Sequence, residues 1–463
     1  FGPTSNMADL LGSQTVINLN CNVDLSGTGI GGLGLDSLNN GVSFSGTFNG
    51  KNHKVTLAIG EPYGTRDGKA LEAGDTSEGN GKIYRHGRLG LFNSISGATK
   101  VNNLTIAGFM KLDNGISVDA GSLAATIADT AKKKLLLSGV TCETNITCDD
   151  MFGNNANIGG IAGSVSAAAT VDFNNGAKAK TTIVTGKTLN GNARIGGAIG
   201  YVGDVASTFN VASLEVGGSI NTGDCADGRI AQVGGLIGGI AQSTYNDKKE
   251  IVSSKIKYVN ITGLAYDSFN MAAGKNGDKL KGAGGLLGYS WGNAIVTIGD
   301  ATANTSDSTY ALKTSNNTTV AANNSTEVGG LVYAASGYWI INDYAIDLSD
   351  ATINADKATV LGLLVGRGGR TDNSLTYGVE TYSGLYLENR ASWDTAYKVS
   401  GATAGNGVKI NNTAINSNSS DTSFDEWVGN STRPSYGKRT DSKLIDGEWN
   451  VVVSLHTKDD ING

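Results

Sequence analysis

Histidine, cysteine, proline and aromatic residues are all scarce in this chain of 463 residues: 3 His, 4 Cys, 3 Pro and 7% Phe, Trp and Tyr together. The histidines are His53, His86 and His456, and none has a partner at metal-ligand spacing, which argues against a zinc site. No apolar run approaches the roughly 18 residues that would span a bilayer. The opening residues, Phe1-Gly2-Pro3-Thr4, lack the basic and then apolar pattern of an export signal, so such a signal is expected to be removed or to lie outside this sequence. No basic run interleaves with aromatics, and 36 basic against 42 acidic residues leave a net charge of −6, which points away from a nucleic-acid partner. Apolar periodicity of 3.6 residues is also hard to find, so helix is expected to be minor.

The cysteines are Cys21, Cys142, Cys148 and Cys225. Cys142 and Cys148 lie in turn-like sequence and are close enough to close a small disulfide loop, or else are buried reduced thiols. For Cys21 and Cys225 the buried thiol is the better reading.

What is abundant is glycine, at 67 residues, with Asn, Ser and Thr, a composition of strands and turns. The glycines are ordered. A Gly-Gly-aliphatic signature recurs at Ile158-Gly159-Gly160-Ile161, Ile195-Gly196-Gly197-Ala198, Val233-Gly234-Gly235-Leu236, Ala283-Gly284-Gly285-Leu286 and Val328-Gly329-Gly330-Leu331. Degenerate relatives, Leu89-Gly90-Leu91-Phe92 and Leu361-Gly362-Leu363-Leu364, flank the run, so about seven repeats can be indexed. Each repeat reads as a Gly-Gly-aliphatic strand, a polar turn and an alternating strand that ends in Asn or Gly. Such a unit cannot bury its apolar face alone, and stacking in parallel at about 4.8 Å supplies the missing partners. Glycine is expected at sharp corners, where positive φ or close backbone approach excludes a β-carbon.

The fold class that follows is all-β, a right-handed parallel β-helix with loop insertions, over residues 1–390. Solenoids escape the usual domain-size limit because each coil packs on its neighbours alone. The first glycines of the complete signatures step by 37, 38, 50 and 45 residues, so the longer repeats must carry excursions. Glu61 to Arg88, Phe109 to Asp150, Tyr266 to Lys281 and Ala301 to Glu327 are the candidates. Residues 391–463 read as a linker and a cap, or as partial continuation of the solenoid. They hold Trp393, Trp427 and Trp449 and end in a strand-like Trp449 to Leu455 that would be an aggregation edge unless covered.

The opening coil carries the most specific motif. Phe44-Ser45-Gly46-Thr47-Phe48-Asn49-Gly50-Lys51-Asn52-His53 is followed by Leu89-Gly90-Leu91-Phe92 and by Val101-Asn102-Asn103-Leu104-Thr105-Ile106. This arrangement resembles the GLUG-motif, or pectin-lyase-like, β-helices of large bacterial surface proteins and adhesins, over roughly residues 15 to 365. The resemblance implies a non-enzymatic extracellular segment at the cell surface or secreted. It would attach through loops and exposed faces to a host or neighbouring-cell glycan or protein, without a cofactor or metal. A self-assembling subunit of a filament or surface layer, partnered by copies of itself, is the alternative.

A polysaccharide-active enzyme is the third reading, because pectin-lyase-like β-helices include hydrolases and lyases. It needs converging carboxylates, and Asp149-Asp150 is the one adjacent acidic pair near a repeat boundary. The order of His86-Gly87 relative to that pair does not match, and Arg367 and Arg370 have only Asp372 nearby. No Gly-x-Ser-x-Gly element flanked by a helix and no calcium-binding nonapeptide repeat occurs. For binding, Tyr289, Trp291, Tyr333, Tyr338, Trp339 and Tyr344 follow successive Gly-Gly units and fall on neighbouring coils. They would make either a stacking platform for a ligand or aromatic ladders within the fold. The eleven Asn-x-Ser/Thr sequons are about what chance supplies in such a composition.

Overall fold

The computed structural model describes, with short gaps, residues 11–26, 43–72, 88–148, 155–241, 255–321 and 327–389, and a few short strands beyond. Those residues form a parallel β-helix, and no α-helix occurs among them. A typical coil has five strand positions, as in Ala231–Gly234, Ile237–Ile240, Lys257–Ile261, Leu264–Asp267 and Asn270–Ala272. The leading strands, Arg88–Leu89, Val118–Gly121, Asn155–Gly159, Asn192–Gly196, Ala231–Gly234, Lys281–Gly284, Glu327–Gly329 and Val360–Gly362, make an eight-stranded parallel sheet of their own. The other four positions merge into one sheet of 30 described strands, because long strands such as Lys100–Leu112, Thr141–Cys148, Leu287–Ile298 and Val332–Ile341 run through a corner and pair on two faces.

Register explains why the sequence repeats. On the leading strands Ile158 pairs with Ile195, Val233 with Ala283 and Ala283 with Val328. On the third strands Leu135, Val171, Phe209, Val259, Val296 and Trp339 form one column, each paired with the next. These columns belong to a single apolar core that runs from Leu11 to Ala351. One-residue slippage would turn each column outward, so burial of one face enforces the register.

The Gly-Gly-aliphatic signature is a corner rather than a strand. The first glycine ends the leading strand, and the second glycine and the aliphatic residue make the bend. A β-carbon on Gly196 or Gly234 would run into the carbonyl of Ile199 or Ile237 across the same corner. On the second glycine it would strike the next coil instead: Gly160 against the carbonyl of Gly197, Gly197 against Gly235, Gly235 against Gly285. Of the two reasons for glycine that the sequence allowed, close backbone approach is the one that operates here. Positive φ operates at a different corner, between third and fourth strands, at Asn103 (48°), Gly139 (63°), Asn175 (50°) and Gly299 (86°). Asn and Gly are the residues that enter this region most easily, which accounts for the strand ends in the repeat.

Three excursions were misread. The segment from Phe109 to Asp150 is mostly a complete coil, with strands Val118–Gly121, Ala124–Ile127, Lys134–Ser138 and Thr141–Cys148. Ser122, fully buried, stands where the second glycine would be, and that one replacement hid the coil. Tyr266 likewise lies in a strand, Leu264–Asp267, with its ring in the core and stacked 5.4 Å from Phe269. Only 273–280 of that excursion lies outside the described residues. Ala301 to Glu327 likewise holds two strands that stack on the coil before, Leu312–Ser315 and Thr318–Ala321, while 301–309, 317 and 322–326 lie outside the described residues. Within Glu61 to Arg88 an antiparallel hairpin, Pro62–Arg66 with Lys69–Glu72, is present. At the C-terminal end, Leu385–Asn389 pairs in parallel with Val451–Leu455, whose other side pairs with Tyr436–Lys438. The terminal strand expected from sequence is therefore covered on both edges.

The disulfide between Cys142 and Cys148 does not form. Both occupy the strand Thr141–Cys148, six positions apart and facing the core. An extended strand holds such residues about 20 Å apart, against a Cα separation below ~7 Å in a disulfide. Burial pushes the Cys142 thiol up to about 12. Cys21, expected to be buried, is exposed; the side chain of Cys225 lies outside the described residues. Alkylation of the native protein should modify Cys21 and leave Cys142 unmodified until denaturant is added, as peptide mass spectrometry would show. A Cys142–Cys148 crosslinked peptide would contradict this packing.

Candidate functional site

Alternation along the leading strands places Ala156 and Ile158 in the core and Asn157 on the opposite side. Register then aligns Arg88, Asp119, Asn157, Arg194 and Gln232 in one column, one residue per coil. Their side chains bond along the stack. Asn157 Nδ2 donates to Asp119 Oδ1 at 2.7 Å, and Arg194 Nη1 donates to Asn157 Oδ1 at 3.3 Å. The second strands bring a parallel column, Thr126, Ser164, Tyr201, Gly239 and Tyr289.

The two columns meet in a seam beside the glycine corner. Thr126 Oγ1 donates to Asp119 Oδ2 at 3.4 Å and lies 3.3 Å from Ser164 Oγ. Arg194 lays its guanidinium over the Tyr201 ring, 4.1 Å from the centroid, as a cation–π contact. Gln232 fills the space that Gly239 leaves by having no side chain. Its amide lies beside the Tyr333 hydroxyl, and the Tyr333 ring packs 6.0 Å from that of Tyr289. Burial pushes the Asp119 carboxyl above the usual carboxylate range, against the opposing pull of hydrogen bonds from Asn157 and Ser164 and of the Arg88 charge. Burial also raises the Tyr201 phenol. The seam is thus a polar line with a carboxyl near one end, a guanidinium in the middle and buried tyrosines at the other.

Around the corner lies a second charged group. Lys257 opens a third strand at a core-facing position and is fully buried. Its Nζ reaches Asp204 Oδ1 at 3.2 Å, while Lys255 Nζ holds Asp204 Oδ2 at 2.6 Å. Burial lowers the Lys257 pKa to about 8, and the Asp204 charge offsets only part of that. On the fourth strands the charges are exposed and alternate: Lys180 with Glu215 at 2.6 Å and with Asp267 at 3.9 Å, and Lys178 with Glu215 at 3.4 Å. Pairs of this exposed kind contribute about 0.5 kcal/mol each.

The aromatic candidates do not make an open platform. Trp339 stands in the core column already described and is fully buried. Tyr338 points the other way, in register with Ile295 and the exposed Tyr258. It is only 4% exposed; the hairpin Ser374–Tyr377 with Glu380–Ser383 lies near the same strand, Val332–Ile341. Tyr289 is buried in the seam with Tyr333. The side chain of Trp291, and Tyr344 entirely, lie outside the described residues, as do Asp149 and Asp150. The seam itself escaped sequence reading because its members are 31 to 50 residues apart and differ in type. The one available signal was the position two residues before each first glycine, which is polar in Asp119, Asn157, Arg194 and Gln232.

No family model, curated protein or solved structure matches this chain. The geometry alone must carry the functional reading.

Proposed function

We propose that this chain is the solenoid part of an extracellular attachment protein, a non-enzymatic rod of the GLUG-motif, pectin-lyase-like kind, carrying binding loops at its corners. The observation that carries this reading is how the described carboxylates are used. Asp119, Asp172, Asp204, Glu215 and Asp267 each bond to an amide or ammonium group one coil away, as in the chain Asp172, Asn210, Asn260 with links of 2.7 and 3.0 Å. Carboxylates spent on coil-to-coil ladders support a scaffold; a hydrolase would hold two of them facing one substrate bond. The opening-coil motif also has a structural use that supports the resemblance: Phe44 and Phe92 stack at 4.6 Å with Phe48 edge-on at 5.7 Å from Phe92. The test is adhesion of protein-coated beads to cells and to a glycan array. Retention that survives mild salt is the expected result, and a failure to bind any cell or glycan would overturn it.

A second reading, a self-assembling subunit, is favoured by the first described strand. Val16–Asn18 pairs on one side only among the described residues, Val16 is 59% exposed, and the amide ladder Asn18, Asn49, Asn102 runs up to that edge with links of 3.0 and 2.9 Å. An open edge bearing such a ladder can template another copy. Electron microscopy across a concentration series without ligand separates the two: filaments support the subunit, single rods the attachment protein.

A further inference from the structure

Arg194 is the side chain of the seam whose chemistry the fold leaves incomplete. A guanidinium carries five donors in a planar fork, and one of them is used, on Asn157 Oδ1. Among the described residues no carboxylate comes within ion-pair distance of it; the Tyr201 ring is its other contact. Arg194 is half-buried rather than free in solvent, so its charge is partly desolvated without a counter-charge. Its neighbour on the next coil, Gln232, is 4% exposed, and its Oε1 has no hydrogen-bond partner. A buried acceptor left open costs about 1–3 kcal/mol. Two adjacent groups that both lack a complement, on a rigid pair of strands, describe one end of a binding site.

We propose that the seam at Arg194 binds an oxyanion carried on a sugar, a carboxylate or a sulfate, with the guanidinium fork on the anion. The fork suits a planar or tetrahedral oxyanion, and the polar groups of Asp119, Asn157 and Gln232 along the stack suit a polyhydroxylated body. This inference rests on the attachment reading for its biological use, but not for its chemistry.

The test observes the arginine itself. In protein labelled with 15N-arginine, the Nε–H resonance of Arg194 is assigned by its absence from Arg194→Lys, a variant whose circular dichroism and melting temperature establish that it is folded. Titration is with a carboxylated, a sulfated and a neutral oligosaccharide of equal length. The expected result is that the resonance shifts with one or both acidic sugars and not with the neutral one, and that affinity by calorimetry falls at least tenfold in Arg194→Lys. Which acidic sugar acts identifies the anion. A resonance unmoved by both acids at millimolar concentration, or a shift equal with the neutral sugar, would overturn the proposal. Cell attachment without such a shift would leave the attachment reading standing and this site refuted; a shift without attachment would do the reverse.

Discussion

Replacing Asp204 by Ala is expected to lower the stability of the protein by about 3 kcal/mol, the cost of removing the carboxylate that a buried ammonium pairs with. Lys257 is fully buried at a core-facing position and its Nζ is 3.2 Å from Asp204. Lys255 contributes little to this loss because it is partly exposed. The measurement is the midpoint of urea unfolding followed by circular dichroism. Two further variants give the mechanism. Lys257→Met alone should be near neutral or stabilising, since an apolar side chain of similar volume replaces an ion that burial opposes. Asp204→Ala with Lys257→Met should recover most of what Asp204→Ala loses. If the double variant is as unstable as the single one, Asp204 matters for a reason other than Lys257.

The same residue predicts a pH dependence. The Lys257 pKa is lowered to about 8 in the folded chain from an ordinary 10.5. Between those values the unfolded chain binds more protons than the folded one, so stability should rise with pH across that window. Above pH 10 the trend should reverse, because burial raises the phenols of Tyr266 and Tyr333 and the unfolded chain releases protons that the fold retains. Unfolding midpoints at pH 7.5 and 9.5 check the rise, which should be absent from Lys257→Met.

Gly197→Ala should be the more damaging of two substitutions that look alike in sequence, at about 3 kcal/mol, the upper part of the overpacking range. Its β-carbon would meet the carbonyl oxygen of Gly235 on the next coil, with Val216 Cγ1 at 2.7 Å. The carbonyl cannot retreat without separating two coils, and the Val216 methyl is held in the core. Gly176→Ala is the control. Nothing lies within 4 Å of a β-carbon there, and the cost is confined to its left-handed φ of 75°, about 1 kcal/mol. Thermal melts of both variants test this; equal losses would mean that coil contact is not what the paired glycines protect.

Much of the fold was legible because a solenoid writes its architecture as repetition. The Gly-Gly-aliphatic spacing predicts the stack and the core columns, since every coil must solve the same packing problem. The prediction fails where one coil solves it with a different residue: Ser122 in place of glycine removed a whole coil from the count. Cys142 and Cys148 mislead for a related reason. Separation in sequence says little about separation in space until the local conformation is known, and an extended strand takes these thiols far apart.

The seam was not legible. Asp119, Asn157, Arg194 and Gln232 are unlike one another, and nothing in their own sequence surroundings marks them as neighbours. The tyrosines and tryptophan at 289, 338 and 339 were visible as a cluster, but their directions were not. Trp339 faces the core, Tyr338 faces away from it and is buried all the same, and Tyr289 faces the seam. Sequence alone determined that the chain must stack, because its strands have one apolar side and corners that exclude a β-carbon. Only the tertiary structure decided which polar groups meet, because parallel register joins residues a full coil apart, and the length of each coil depends on how much chain its corners let out.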